Sequence, residues 1–194
     1  MTRRVLIALS ALPLLAGSVD ADKKEALAYL ERTRAGVVDA TKGLSEAQWK
    51  FKPAPDRWSV AEVVEHIAMT EGFLFSHVES VMKAPAGEAG RDVRTIDQKV
   101  TTMIADRSQK AQAPQEVQPK NMQAPKESLN IFLSARKRTM EFLGTTPGLR
   151  DHVTDSPIGL KLDAHQWLLF IGAHSERHTK QILEVKADAN FPKK

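Results

Sequence analysis

The sequence predicts an all-α protein, a four-helix bundle with short extra helices and a proline-rich connection. Four long segments repeat apolar residues every three or four positions, the period of a helix with one buried face. Residues that favour helix starts stand immediately before such segments, as at Asp22, Ser59 and Asp163. No segment shows the strict alternation of a half-buried strand. Long helices with these buried faces favour a bundle whose site lies between facing helices.

The beginning of the chain has the pattern of a secretory signal peptide. Two arginines precede an apolar run at 5–16, and small residues follow it. This run is too short to span a bilayer comfortably. We therefore predict that residues 1–21 are removed, by cleavage after Ala21 or Ser18, and that 22–194 form one domain, periplasmic or secreted. Because the sequence has no cysteine, we expect no lipid anchor after processing.

The first half of the domain contains two predicted long helices joined by a short one. The first long helix is expected over residues 22–42, with a capping box at its start. A short turn of helix follows at Ser45 and is stopped by prolines. The second long helix is expected over 59–83, because Ser59 is a good N-cap and Glu62 completes a capping box.

The second half holds two further long helices, and the segments between them are expected to be irregular. Three prolines among polar residues indicate that 111–125 is an extended, mobile connection. In chain order the expected elements are a loop at 85–90, a weakly amphipathic helix at 94–110, the connection at 111–125, an amphipathic helix at 127–144, an irregular stretch at 145–162 and a final helix at 163–187.

Three histidines on apolar helix faces are the candidate metal ligands. His174 and His178 lie one turn apart in the last helix, on the face that carries Trp167 and Ile171. A buried imidazole without partners costs roughly 1–3 kcal/mol, and a shared metal ion would satisfy both rings. His66 points into the apolar face of the second long helix and is the predicted third ligand. Three imidazoles leave one position of a tetrahedral ion open, as in catalytic sites. The alternative interpretation is that all three are hydrogen-bonded core histidines that bind no metal.

Other titratable residues are weaker candidates. His77 shares the face of His66 but lies about 16 Å along the helix axis, too far to reach the same ion. His165 lies on the opposite side of the last helix and is expected to be structural or exposed, and His152 lies in a loop without a visible partner. Glu62, one turn before His66, is the candidate base, although its capping role already accounts for it.

The segments around these histidines resemble the two hallmark segments of the DinB-like superfamily. The resemblance rests on 57–66 and 174–182, with support from 157–160 and 166–168, and it covers roughly 24–187. It implies a four-helix bundle whose three histidines bind a divalent metal ion. Zinc or nickel is expected, although three imidazoles also suit copper or iron, so the identity of the metal stays open. Some members of the superfamily are metal-dependent thiol transferases or isomerases, so the resemblance implies a site more than a reaction.

The expected function is metal-dependent chemistry on a small molecule, by a hydrolase or a thiol-type transferase. Ser175 stands where a zinc protease would have glutamate, which argues against a peptidase. Export disfavours a transferase that uses an intracellular thiol, whereas hydrolysis needs only water. The alternative is a non-catalytic bundle with a structural ion, or with a ligand pocket lined by Met69, Phe73, Trp167 and Phe170.

Composition narrows the classes of partner. A chain without cysteine has no disulfide, thiolate ligand or cysteine nucleophile. The net charge is only +4, and basic residues alternate with acidic ones, which predicts a solvated surface and no nucleic-acid partner. The substrate and the oligomeric state stay open, a homodimer being one option.

Overall fold

The computed structural model describes residues 12–193, and the side chains from residue 21 onward. This part of the chain is mostly helical, which confirms the predicted fold class. Its elements are α1 (Leu12–Thr41), α2 (Glu46–Lys50), α3 (Val60–Val81), α4 (Val93–Ala105), a 3-10 turn (Gln115–Val117), α5 (Pro125–Thr145), β1 (Val153–Asp155), β2 (Lys161–Asp163) and α6 (Ala164–Lys186).

The four long helices α1, α3, α5 and α6 form the bundle. Helix α1 packs on α5 and α6, α3 packs on the same two helices, and α4 lies against α6. Gly172 permits the close approach of α1 to α6, since a Cβ there would lie 2.9 Å from the ring of Tyr29. The two apolar clusters of the core include Leu30, Leu143, Leu168 and Ile171 in one and Val37, Ile67, Phe132 and Ile182 in the other. This packing places the histidine-bearing helices α3 and α6 side by side.

A fully buried ion pair links all four long helices. The guanidinium of Arg136 on α5 donates to both carboxylate oxygens of Glu71 on α3, at 2.7 and 2.8 Å. It also donates to the Leu30 carbonyl and the Thr33 hydroxyl of α1, and to the Ser175 hydroxyl of α6. An arginine has five N–H donors, and each of them has an acceptor here. We call Arg136, Glu71, Thr33 and Ser175 the arginine cluster.

The predicted start of α1 is wrong. The helix already begins at Leu12, so Asp22 lies inside it rather than at an N-cap. The Asp22 carboxylate pairs instead with Arg94 and Arg150, at 3.7 and 3.4 Å. Most of the predicted signal peptide, 1–21, lies outside the described residues, and its cleavage stays a prediction. No helix in the described part of the chain is both long and apolar enough to cross a membrane.

The irregular stretch at 145–162 contains a short antiparallel hairpin, which the sequence analysis missed. Strand β1 pairs with β2 from Val153 opposite Asp163 to Asp155 opposite Lys161. Strands of three residues are too short to show a clear alternation of apolar and polar side chains. The hairpin leads directly into the start of α6.

The proline-rich connection predicted at 111–125 has a single 3-10 turn before α5 begins and is anchored to the bundle at a few points, while its mobility stays a prediction. Helix α4 ends at Ala105, five residues earlier than expected, and we call residues 106–124 the strap. Val117 in its 3-10 turn is buried against α3. Arg177 on α6 donates to the backbone carbonyls of Asp106 and Gln109, near the beginning of the strap. These contacts lay the strap across α3 and α6.

Candidate metal centre

The two helices that carry the histidines begin at predicted capping boxes. In α3 the Ser59 hydroxyl accepts from the Glu62 N–H, and the Glu62 carboxylate accepts from the Ser59 N–H at 2.7 Å. In α6, Asp163 and Gln166 form the same reciprocal pair. The predicted starts of both helices are therefore confirmed, and the burial of His66 and His178 confirms which face of each helix points inward.

His66, His174 and His178 converge, and we call them the histidine cluster. The Nε2 atom of His66 lies 3.1 Å from His174 Nε2 and 3.2 Å from His178 Nε2. The three ligand atoms lie within 4.8 Å of one another, and no other such group occurs in the described residues. A tetrahedral zinc ion with three nitrogen ligands requires nitrogens about 3.3 Å apart. The rings thus already have nearly the spacing that one ion needs.

Hydrogen bonds at the far side of two rings determine where their protons lie. His66 Nδ1 is 2.7 Å from the Val117 carbonyl oxygen, which can only accept, so Nδ1 carries the proton. His178 Nδ1 is 2.8 Å from Gln181 Oε1, an oxygen that also accepts from Arg107. In the neutral rings both Nε2 atoms are therefore lone-pair acceptors. Two such atoms at 3.2 Å repel each other unless a cation or proton lies between them.

Burial keeps these rings neutral. Burial lowers the pKa of His66 below its ordinary value, and the hydrogen bond to Val117 only partly opposes this effect. The pKa values of His174 and His178 fall further, through burial first and then through the neighbouring rings of the cluster. A neutral imidazole is the form that binds a metal ion.

The cluster is shielded on one side and more open on another. The indole of Trp58 lies 4.9 Å from the ring of His66 and is stacked 6.4 Å from that of His178, centroid to centroid. His66 and His178 are buried, whereas His174 is half-buried. A substrate or solvent molecule would therefore approach from the side of His174.

The apolar ligand pocket expected from four residues beside the cluster is not formed. Phe73 is 48% exposed and forms no wall of a buried pocket. Trp167 and Phe170 stack on each other in the core, and Trp167 also packs edge-on against His77. Met69 is half-buried. Trp167 and Phe170 are therefore ordinary core residues, and Phe73 lies at the surface.

Glu62 does not join the histidine cluster. Its carboxylate accepts from the Ser59 N–H at 2.7 Å and from Lys52 Nζ at 3.0 Å. Burial alone would raise the pKa of Glu62, but these hydrogen bonds outweigh it and lower the pKa. Both oxygens already have partners, so the structure supports the capping role and not that of a base.

The remaining histidines lie elsewhere. His77 is 3.3 Å from the Thr154 hydroxyl, and it takes no part in the cluster, as predicted. His152, for which no partner was expected, makes a 2.6 Å hydrogen bond with the Ala84 carbonyl. His165 is buried, the structural one of the two predicted options, and burial lowers its pKa to about 3.

Sequence reasoning missed the polar residues that support the cluster. Arg136 lies one turn after Phe132, on the apolar face of α5, and this position was a usable signal of a buried charge. Glu65 precedes His66 directly and is 6% exposed. No local pattern indicates that Val117, 51 positions after His66, supplies the carbonyl on its ring.

Comparison with known proteins agrees with this architecture. The chain matches the family model of the DinB superfamily over residues 29–182. It is 28% identical over 159 residues to the uncharacterized protein YuaE of Bacillus subtilis (strain 168), an alignment that covers 75% of this chain and 87% of YuaE.

A solved structure has the same fold. YfiT from Bacillus subtilis, described as a probable metal-dependent hydrolase with an unusual four-helix bundle topology, superposes with a TM-score of 0.59 at 15% identity. The match covers 98% of this chain and 95% of YfiT. At this identity the likeness concerns the fold. Because the family model spans most of the chain and all three cluster histidines, the protein belongs to the DinB superfamily.

Proposed function

We propose that the histidine cluster binds one divalent metal ion and that the protein is a metal-dependent enzyme, a hydrolase, acting on a small molecule. The observation that carries this proposal is the convergence of three Nε2 atoms. Two of them, in His66 and His178, carry no proton in the neutral ring, because the proton lies on Nδ1 and is donated to an oxygen acceptor. The description of YfiT as a probable metal-dependent hydrolase supports the same class.

Different residues of the chain would orient the metal ligands and border the approach to such a site. Val117 and Gln181 orient the rings of His66 and His178, and half-buried His174 borders the approach. His66, His174 and His178 would hold the ion through their neutral imidazoles, and the ion would supply Lewis-acid chemistry to a substrate or solvent molecule. Zinc and nickel both suit three nitrogen ligands. No carboxylate among the described residues joins the cluster, which favours hydrolysis without a glutamate base.

Metal content tests the first part of the proposal. The wild type and His174→Ala are purified, incubated with zinc or nickel, desalted and analysed for metal, with His77→Ala as a matched control. We expect about one ion per chain in the wild type and in His77→Ala, and a large loss in His174→Ala. A wild type that retains no ion after loading contradicts the proposal.

Turnover separates an enzyme from the competing role, a structural ion. That role is favoured by the burial of His66 and His178, since an ion there would join α3 to α6. Metal-loaded and metal-free protein are assayed against esters, amides and thiol conjugates. We expect turnover only with metal. If the ion raises the thermal stability sharply but no substrate class is converted, the structural role is correct.

We also propose that the protein is exported after removal of residues 1–21. The basic start and the short apolar run support this proposal. The test is cell fractionation of the native host, with N-terminal sequencing of the purified protein. We expect a periplasmic or secreted protein beginning at Val19 or Asp22. A cytoplasmic protein with an intact N-terminus would contradict export and would make a thiol-dependent transferase the better proposal.

A further inference from the structure

Two adjacent residues of α3 hold the same segment of the strap. The ring of His66 donates to the Val117 carbonyl at 2.7 Å. The carboxylate of Glu65 accepts from the backbone N–H groups of Asn121 and Met122, at 2.8 and 3.1 Å. His66 binds a backbone carbonyl before residues 118–120, and Glu65 binds two backbone N–H groups after them. The strap is therefore held to α3 at both ends of this short stretch.

The strap has a special backbone conformation at the Glu65 contact. Asn121 has a φ of 54°, and it is the one non-glycine residue with positive φ in the described part of the chain. Asparagine tolerates this left-handed region better than most residues. Such a turn points consecutive N–H groups to the same side, which makes a small anion-binding concavity. The buried carboxylate of Glu65 fills it.

The carbonyl of Val117 has a chemical effect on the cluster. It holds the proton of His66 on Nδ1 and leaves the lone pair of Nε2 directed at His174 and His178. The Thr70 hydroxyl is 3.5 Å from Nδ1, so the much shorter contact with Val117 is the stronger hydrogen bond of this ring nitrogen. We therefore infer that the tautomer of His66 depends on where the strap lies.

We propose that Glu65 is a positioning residue for the metal site, acting through the strap. By anchoring Asn121 and Met122 it keeps the Val117 carbonyl on His66 and so keeps His66 in the metal-binding tautomer. Partners on the far side of a metal-binding imidazole typically change metal affinity by about 10–100-fold when they are removed. This inference rests on the proposed metal site, but the tautomer of His66 can be measured without any metal.

The first test compares Glu65→Gln with the wild type and with Glu62→Gln. Glu62 is the matched control, because its carboxylate is also largely buried on α3 and accepts hydrogen bonds, but it does not contact the strap. Zinc affinity is measured by competition with a chelator. We expect a loss of about tenfold or more in Glu65→Gln and little change in Glu62→Gln. Glu65→Asp, which retains the charge, should recover part of the affinity.

The second test measures the tautomer directly. In metal-free protein with ¹⁵N-labelled histidine, NMR should show His66 protonated at Nδ1 in the wild type, with a larger share protonated at Nε2 in Glu65→Gln. A merely structural role of Glu65 would lower the stability without moving this signal. If zinc affinity and tautomer are both unchanged in Glu65→Gln, the inference is overturned while the proposed function stands. A changed tautomer in a protein that binds no metal supports the positioning role and rejects the proposed function.

A measurement on the wild type covers the case in which Glu65→Gln does not fold. Because coupling between two sites is reciprocal, zinc binding should slow the exchange of the Asn121 and Met122 amide hydrogens. The exchange is measured with and without zinc. Unchanged exchange at these amides on saturation with zinc would show that the strap and the site are not coupled.

Discussion

Two of the buried polar clusters in the described residues, the arginine cluster and the histidine cluster, have opposite hydrogen-bonding balance. In the arginine cluster, each N–H donor of Arg136 meets an oxygen acceptor. In the histidine cluster, the Nε2 atoms of His66 and His178 are both acceptors and face each other at 3.2 Å. The first cluster is complete as it stands, whereas the facing acceptors of the second favour a cation or a proton between them. This difference in saturation is why we assign the first cluster to the fold and propose the second as a binding site.

The two clusters are neighbours along α6. Ser175, which accepts from Arg136, directly follows His174. The ion pair therefore fixes the backbone of α6 where the proposed metal ligands project. We expect the arginine cluster to stabilise the fold with or without metal, and the histidine cluster to add stability when metal is bound.

The largest effect is expected from Arg136→Met. This substitution leaves Glu71 buried without its partner, which costs about 3–5 kcal/mol of the free energy of unfolding. Urea unfolding of metal-free protein measures it. The double variant Arg136→Met with Glu71→Leu should recover much of the loss, because no unpaired charge remains. A loss below about 1 kcal/mol in the single variant would show that the cluster is not the structural anchor inferred here.

Metal binding should give the next largest effect. At a free zinc concentration of about 1,000 times Kd, a ligand that binds only the folded state adds about 4 kcal/mol of stability. His178→Ala should lose this gain because it removes one of the three ligands. Its metal-free stability should change far less. Thermal unfolding with and without zinc measures both quantities, and an equal gain in wild type and variant would contradict the metal site.

Acid should destabilise the metal-free protein through its buried histidines, and His165 isolates the effect of burial. Burial lowers the pKa of His165 to about 3 from its ordinary 6.5. Its ring contributes nothing to the pH dependence well above 6.5. Between pH 6.5 and about 3 the ring is protonated in the unfolded state but not in the folded state, so the free energy of unfolding falls as the pH falls. The slope approaches about 1.4 kcal/mol per pH unit for each such ring.

The variant His165→Gln measures this contribution. Between pH 6 and 5, its free energy of unfolding, measured with urea, should depend less steeply on pH than that of the wild type. The difference in slope should correspond to the uptake of about one proton on unfolding. The rest of the slope in this range should include the histidine cluster, whose pKa values are also lowered. Identical slopes in wild type and variant would contradict the burial effect at His165. The same pH series in the presence of zinc distinguishes the contribution of the three proposed ligands from that of His165, because His165 is not part of the histidine cluster.

The smallest effect is expected from Glu62→Gln. It weakens the capping box of α3 and removes the charge that faces Lys52, at about 0.5–1 kcal/mol of stability. Metal content should be unchanged, since Glu62 is not part of the histidine cluster. A loss of turnover without a loss of metal would return Glu62 to the role of a catalytic base.

Local sequence predicted the long helices and the candidate metal ligands, but not the hairpin or every helix end. The capping boxes at Ser59 and Asp163, together with the apolar period, predicted helices that the structure has as α3 and α6. Because the direction of a side chain around a helix depends only on its position in the helix, the inward orientation of His66, His174 and His178 followed from spacing alone. The family resemblance was confirmed by a match over residues 29–182, a range that includes the three histidines.

Only the tertiary structure decided what surrounds those ligands. The Val117 carbonyl on His66, the Glu65 contact to the strap and the ion pair of Arg136 with Glu71 join residues 51 to 65 positions apart. Contacts at such separation depend on how helices pack and where a connection docks, and neither periodicity nor capping encodes that. The sequence alone thus determined which side chains face inward, whereas packing decided which partners each of them has, because partners distant in the sequence meet only when the helices and the strap pack together.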